Sequence, residues 1–174
     1  MMISNPGNIY FLLFLFFFLF LPQNVMNFPK MINFLLAGKK LVLLLILWMI
    51  IFMTTFFNIH PYNQSPYFLR NRLLVFLLQD PFYKIYFYLI AVLGLVGVWV
   101  TDIKHNLKWW LFLTTALSLI PINLIEQRYY LIPFAFYILL KEEKSFVYQA
   151  ITVVLYLTCS LILTSGILTG RFFL

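Results

Sequence analysis

The sequence predicts an all-α, polytopic membrane protein, in which a bundle of about six transmembrane helices forms a single module over residues 1–174. Composition is the first observation behind this fold class. The chain is 64% hydrophobic and only 10% charged, with a mean hydropathy of +0.96, whereas soluble domains carry about 25% charged residues. The second is the chain's long apolar runs, which show no β-type alternation. Together they exclude a soluble enzyme, and the lone Cys159 excludes an intrachain disulfide.

Six apolar runs are candidate spans, because a hydrocarbon core of about 30 Å needs roughly 20 apolar residues in a helix. The first and fifth runs fall short of a full crossing. In chain order, the runs are residues 9–21, 41–57, 82–100, 109–125, 129–140 and 146–168.

The first run differs from a secretory signal peptide in its flanks. No basic residue precedes Lys30, and Pro22-Gln23-Asn24 does not form a cleavage site of small residues. We therefore expect a retained span or an interfacial hairpin.

If all six runs cross the membrane, the basic residues fall into two groups, one on each side. One side receives Lys30, Lys39, Lys40, Lys104, Lys108, Lys141 and Lys144. The other receives Arg70, Arg72, Lys84, Arg128 and Arg171. The positive-inside rule makes the lysine-rich side cytoplasmic. Because the basic residues are dispersed between apolar runs, nucleic acid is not expected as a partner.

Several residues predict local packing and breaks. Gly94 and Gly97 would allow a neighbouring helix to approach closely, and Pro121 and Pro133 would break or kink their runs. Asp80-Pro81 is typical of a helix start. The apolar stretch 73–78 is too short to cross, which predicts a re-entrant or in-plane helix.

Residues 58–72 form the longest polar stretch of the chain, with an imidazole, two guanidinium groups, amides and aromatic rings. This mixture suits a sugar or phosphate head group, because arginine neutralises phosphate and amides bind hydroxyls. The candidate binding residues here are His60, Arg70, Asn71 and Arg72. The alternative is an ordinary loop with interfacial aromatics and snorkelling arginines.

The second polar motif places Glu126, Arg128 and Tyr129 at a membrane boundary, where ionisable groups are costly unless they are paired or face a polar cavity. On a helix Glu126 and Tyr130 would share a face, so Arg128 would point away from Glu126 and be available to a ligand. The alternative is a tight turn between two spans.

These motifs resemble a known family. Residues 124–134, LIEQRYYLIPF, resemble the "LLE-x-RYF-x-x-P" signature of the dolichyl-phosphate-glucose-dependent α-1,2-glucosyltransferases, which add the terminal glucose to the lipid-linked oligosaccharide of N-glycosylation. His60-Pro61-Tyr62 resembles the start of that family's "HPYLLADNRHYTFY" loop, and Asn71-Arg72 with Phe76 resembles its later part. The resemblance covers about residues 31–174.

The resemblance implies the C-terminal part of a GT-C glycosyltransferase in the endoplasmic reticulum membrane. It implies a dolichyl- or polyprenyl-phosphate sugar donor, a lipid-linked oligosaccharide acceptor, and no metal or cofactor. Arg72 and Arg128 would bind phosphate, while His60, Asn71 and Glu126 would orient the sugar or an arginine. The substrate-binding set is His60, Arg70, Asn71, Arg72, Glu126, Arg128 and Tyr129.

The chain also departs from the family. Arg70 stands where the family has Asp, and Leu73 and Leu74 replace its His-Tyr. The family's early acidic loop has no counterpart, so no catalytic residue is assigned. We expect a fragment or one half of a split enzyme, with a partner chain supplying the N-terminal module. The alternative is a non-catalytic membrane subunit or truncated homologue with a structural role. A small transporter is disfavoured, because no span carries a mid-membrane ionisable residue.

Overall fold

The structure is a computed structural model that describes residues 7–57, 60–104, 107–119, 122, 124–142 and 145–171. Within these ranges the chain is mainly helical, and an isolated β-bridge joins Ile103 to Lys141. The helices are α1 Gly7–Leu19, α2 Leu21–Leu36, α3 Lys39–Thr55, α4 Leu69–Leu78, α5 Pro81–Val100, α6 Lys108–Leu119, α7 Leu131–Leu140 and α8 Phe146–Leu168. The all-α prediction is confirmed. Pro121, Lys144 and residues 58–59 of the polar loop lie outside the described residues.

Fewer helices can cross a membrane than the six that the sequence predicted. Among the described residues, α5 with 20 residues and α8 with 23 are long and apolar enough, and α1 with α2 adds a third if that bent pair is one span. At 1.5 Å per residue, the 12 residues of α6 reach roughly 18 Å and the 10 of α7 roughly 15 Å. In the fourth run, residues 122, 124 and 125 are connection and not helix. In the fifth run, residues 129–130 belong to a 3-10 turn that precedes α7.

The first apolar run is bent, with an angle of 99° between α1 and α2. Pro22 lies in the first turn of α2, where its missing N–H costs nothing. Had α1 continued, the Pro22 ring would have met the carbonyl four residues earlier. The predicted retained segment is thus a broken pair of helices and not one straight crossing.

Helix α1 packs along α5 at the centre of the molecule. Phe14 stacks on Phe87 with ring centroids 4.7 Å apart, and Phe11 is 1% exposed. A Cβ added at Gly94 would collide with the backbone of Leu13, and one at Gly97 with the side chain of Asn24. The predicted close approach at these two glycines is confirmed.

Two predicted breaks are also found. Helix α4 has 10 residues and is too short to cross. The Asp80 Oδ1 atom accepts a hydrogen bond of 2.7 Å from the Phe82 N–H, so Asp80-Pro81 starts α5 as predicted. Pro133 lies in the first turn of α7, which begins at Leu131 and continues to Leu140, so the predicted break at Pro133 is not found.

The two ends of α5 carry different polar groups. Beyond its C-terminus, Lys30 pairs with Asp102 at 3.7 Å, and Lys108 Nζ donates a hydrogen bond of 2.6 Å to the Trp99 carbonyl. Near its N-terminus, Lys84 Nζ donates to the Met53 carbonyl at 2.9 Å. Helix α4, which carries Arg70 and Arg72, leads into this N-terminal end. We call the two regions the lysine end and the arginine end.

Candidate functional site

The two polar motifs of the sequence meet at Glu126. Its Oε1 atom lies 3.4 Å from Arg70 Nη1 and 2.6 Å from Arg128 Nε. The Glu126 and Arg70 side chains are each 5% exposed, whereas the Arg128 side chain is 72% exposed. One buried carboxylate therefore joins α4 to the segment that precedes α7.

The prediction that Arg128 points away from Glu126 is wrong, because the segment is not an α-helix there. Glu126 has an extended backbone, with φ −145° and ψ 132°, and a 3-10 turn follows over Gln127–Tyr130. This turn brings the Arg128 guanidinium group back to the carboxylate. The hydrogen bond and the Coulombic attraction of Glu126 raise the pKa of Arg128 above its ordinary value, so Arg128 is a permanent cation.

Arg70 is buried by its own loop. Its guanidinium carbon lies 4.9 Å from the centroid of the Phe68 ring and 5.2 Å from that of Tyr62. Ring faces and a carboxylate compensate a guanidinium group for lost water. The sequence grouped Arg70 with the ligand-binding residues, but the structure directs it inward to Glu126.

Asn71 closes the polar loop onto α4. Its Nδ2 atom donates hydrogen bonds of 2.7 Å to the Tyr62 carbonyl and 2.9 Å to the Ser65 carbonyl, and its side chain is fully buried. The exposed His60 caps the 3-10 turn Pro61–Gln64, since its Nδ1 atom accepts from the Tyr62 N–H at 3.2 Å. Both predicted residues thus shape the loop.

Arg72 is exposed and anchored through one nitrogen. Its Nε atom donates a hydrogen bond of 2.6 Å to the Pro66 carbonyl. Arg72 and Asn71 line a cavity of about 290 Å³, together with Gln64, Pro66, Val75, Phe76 and Gln79. Both arginines are held through Nε, Arg72 by the Pro66 carbonyl and Arg128 by the Glu126 carboxylate. Each presents a two-pronged donor fork.

Arg128 does not line the cavity beside Arg72. The sequence paired Arg72 with Arg128, but the arginine that shares Glu126 with Arg128 is Arg70. Tyr62 links the two places. Its carbonyl accepts a hydrogen bond from Asn71, and its ring lies against Arg70, which shares Glu126 with Arg128. The two exposed forks therefore belong to one folded unit, but they line separate parts of its surface.

Sequence reasoning missed Asn8. The Tyr130 hydroxyl donates to Asn8 Oδ1 at 2.9 Å, and Asn8 Nδ2 donates to the Ile122 carbonyl at 2.8 Å. All of the Asn8 side chain is buried. An amide at the start of an apolar run was the available signal, because a buried amide needs partners. Tyr129, beside this network, is half-buried.

The site can hold an anion, because Arg72 and Arg128 are exposed cations. The Glu126 carboxylate is already engaged by two arginines through Oε1, and among the described residues its Oε2 atom is buried without a hydrogen-bond partner. The described residues contain no cluster of three or more His, Cys, Asp or Glu that could hold a metal ion.

Comparison of the chain with models of known protein families, with curated proteins and with solved structures finds no match. The geometry of the site and the sequence motifs are therefore the basis for interpreting its function.

Proposed function

We propose that this chain is a membrane module of a glucosyltransferase that uses a dolichyl- or polyprenyl-phosphate-linked sugar in N-glycan precursor assembly, in the endoplasmic reticulum membrane. The observation that supports the proposal is that Arg72 and Arg128, on separate parts of the surface of one folded unit, each expose a guanidinium group that is fixed through Nε. A guanidinium fork matches the oxygens of a phosphate, and a fork already held in place loses little side-chain entropy on binding.

In this role the chain stabilises the departing lipid phosphate. As the acceptor hydroxyl oxygen attacks the anomeric carbon, the bond from that carbon to the phosphate oxygen breaks, and negative charge grows on the phosphate. Fixed cations lower the free energy of that transition state. His60 and Tyr129 would contact the sugar, and Asn71 keeps the loop folded.

The proton of the acceptor hydroxyl needs a base. Glu126 is already bound to Arg70 and Arg128, so the proposal assigns the base to a partner chain that carries the acidic loop. The lipid-linked oligosaccharide acceptor would bind between the two chains.

The direct test is donor binding by the purified chain in lipid nanodiscs, with polyprenyl-phosphate glucose as the probe. We expect Arg72→Ala and Arg128→Ala each to weaken binding by about tenfold or more, since one charge-assisted hydrogen bond contributes roughly 1.5–3 kcal/mol. Arg171→Ala is the matched control, because Arg171 is also exposed but lies just after α8, outside both polar motifs. Donor binding that is unchanged in both site variants would contradict the proposal.

A second candidate function is that of a non-catalytic subunit of a membrane assembly. Helix α8 favours it, because only 6% of its apolar window is buried, against 44% for α5. Most of the surface of α8 is therefore available to contact lipid or another helix. A complex of fixed stoichiometry that fails to bind the glucose donor would favour this second function over the first.

A further inference from the structure

Helix α2 lies across the C-terminal end of α5. Four contacts from α2 all fall on residues 97–102, at the end of α5 and just beyond it. The contacting pairs are Asn24 with Gly97, Asn27 with Thr101, Lys30 with Asp102 and Phe34 with Trp99. Residues 24–34 rise about 15 Å along α2, so a helix parallel to α5 would have moved beyond this short stretch. Helix α2 is also bent by 99° from α1, which packs along α5. If α5 crosses the bilayer, α2 therefore lies near the membrane plane at the lysine end.

The side of α2 that packs on the protein carries amides. Asn24 and Asn27 are both buried, at 4% exposure. The Asn24 Nδ2 atom donates a hydrogen bond of 2.9 Å to the Phe17 carbonyl. The Asn27 Nδ2 atom donates one of 3.3 Å to the Thr101 hydroxyl. The polar groups of this helix are thus used within the protein.

A second side of α2 is apolar and exposed. Val25, Phe28 and Leu36 are each at least half exposed. With 3.6 residues per turn they fall within about 80° of one another around the helix axis. A surface helix of a soluble protein has the opposite arrangement, with its apolar side facing the core and its polar side outside. This side of α2 is therefore suited to the acyl chains of a lipid.

Lys30 projects from the opposite side of α2, about 120–160° around the axis from Val25, Phe28 and Leu36. Its ammonium group pairs with Asp102 in the connection that follows α5. Apolar side chains on one side and a charged side chain on the other are typical of a helix that lies in the interface of a bilayer. In that arrangement the apolar side faces the acyl chains and the Lys30 side faces water.

Two further lysines lie at the same end, at the start of α3. Helix α3 runs back towards the arginine end, since the Met53 carbonyl near its C-terminus accepts from Lys84 near the N-terminus of α5. Its first residues, Lys39 and Lys40, are exposed and form no ion pair with a described residue. No Asp or Glu precedes Asp80 in the chain. The two ammonium groups therefore add a local positive charge shortly after the exposed apolar side of α2.

We propose that α2 and the start of α3 form a binding surface for anionic phospholipids in the leaflet at the lysine end. The apolar side of α2 packs among the acyl chains, and Lys39 and Lys40 attract the phosphate and other anionic groups of the head groups. An in-plane amphipathic helix binds a bilayer through its buried apolar area, and basic residues add attraction to anionic lipids. Free phosphate would gain only the second contribution, so the ligand is the lipid.

The position of α2 is tested by fluorescence quenching in liposomes of phosphatidylcholine and phosphatidylglycerol. In a Cys159→Ser background, Phe28→Cys and Asn33→Cys each carry a fluorophore, and these two side chains point about 140° apart. We expect brominated acyl chains to quench the label of Phe28→Cys, and iodide on both sides of the membrane to quench the label of Asn33→Cys. Equal quenching of the two labels by either agent, or the reverse pattern, would overturn the in-plane arrangement.

The lipid preference is tested by native mass spectrometry of the purified chain after reconstitution in an equal mixture of phosphatidylglycerol and phosphatidylcholine. We expect the wild-type chain to retain phosphatidylglycerol preferentially. Lys39→Gln combined with Lys40→Gln should lower that preference by about tenfold or more, since each lysine near an anionic surface adds to the attraction. Lys39→Arg combined with Lys40→Arg keeps both charges and should keep the preference.

Lys104→Gln combined with Lys141→Gln is the matched control. It removes the same charge from the lysine end, but these two lysines belong to the bridged connections that also contain Asp102 and Glu142. The control should therefore retain the preference of the wild-type chain. Circular dichroism and a single elution peak establish that each variant is folded.

Three results would overturn the lipid assignment: no preference for phosphatidylglycerol in the wild-type chain, an unchanged preference after the glutamine replacements of Lys39 and Lys40, or an equal loss in the control. Arg72→Ala and Arg128→Ala should leave the preference unchanged. Failure of this surface is therefore distinguishable from failure of the glucose-donor site at the arginine end.

Discussion

Glu126 and Arg70 form a buried ion pair, and each needs the other because neither is exposed to water. We expect Glu126→Gln to destabilise the protein by about 3–5 kcal/mol, since it removes the negative charge that faces the buried Arg70 guanidinium group. Thermal unfolding in detergent measures this loss. Arg128→Ala should change stability little, because the Arg128 side chain is 72% exposed.

The combined replacement Arg70→Leu with Glu126→Leu is the control for that prediction. It removes both charges and fills the space with apolar groups, so it should recover most of the stability lost by Glu126→Gln. If Glu126→Gln unfolds at the same temperature as the wild-type protein, the ion pair does not stabilise the fold.

Asn71 provides a second prediction for single residues. Asn71→Ala removes two hydrogen bonds to the loop carbonyls of Tyr62 and Ser65, and we expect a loss of about 1–3 kcal/mol. Hydrogen exchange should be faster for the backbone amides of residues 62–65. Gln79→Ala, an exposed change at the end of α4, should leave these exchange rates unaltered. Equal rates in Asn71→Ala would contradict this role.

The sequence indicated which residues need a partner more reliably than it indicated which residues those partners are. The sequence identified Glu126 and Arg128 as groups that need compensation, because ionisable side chains at a membrane boundary are costly. The prediction from sequence assumed an α-helix, which would place Glu126 and Arg128 on different faces. In the structure the extended backbone of Glu126 and the 3-10 turn that follows bring the two side chains together. The inward position of Arg70 depends on Tyr62 and Phe68, and that three-dimensional contact has no periodic signal in the sequence.

At the scale of helices, the packing of α1 on α5 depends on two glycines. We expect Gly94→Ala to destabilise the protein by at least about 1–3 kcal/mol, since its methyl group would collide with the Leu13 backbone, which cannot rotate away. Unfolding in denaturant measures the effect. Gly38→Ala is the control, because a Cβ at Gly38 meets no atom within 4 Å. Equal stability of the two variants would contradict the close approach.

The apolar runs predicted long helices better than short ones. The run 82–100 corresponds to α5, Pro81–Val100, and the run 146–168 to α8, Phe146–Leu168. Hydropathy overextended α6, which ends at Leu119 although its run continues to residue 125. Apolar connections look the same as helix to a hydropathy pattern, and only hydrogen bonding distinguishes them.

For the whole molecule, the separation of lysine and arginine ends predicts a two-sided arrangement. If α5 crosses the bilayer, Gln64 and Lys104 lie on opposite sides of it. In a Cys159→Ser background, Gln64→Cys and Lys104→Cys should react with a membrane-impermeant maleimide from opposite sides of sealed vesicles. Labelling of both from the same side would show that α5 does not cross.

The overall class followed from composition, because a chain with 10% charge cannot cover a soluble body with ions. The number of crossings did not follow from composition, because the first apolar run is divided into two helices that meet at 99°, and composition carries no information about such a bend. The convergence of the polar loop with Glu126 depends on contacts between distant segments, which a single sequence does not encode as a local pattern.

The hydrogen bond between Asn8 and Tyr130 spans 122 positions of the chain. A ribosome adds roughly 5–20 residues per second, so α1 emerges several seconds before the Tyr130 hydroxyl exists. During that interval the Asn8 amide has to be satisfied by water, lipid head groups or the insertion machinery. A helix at the centre of the finished protein therefore waits for a bond from a much later segment, which makes the order of synthesis part of how this fold assembles.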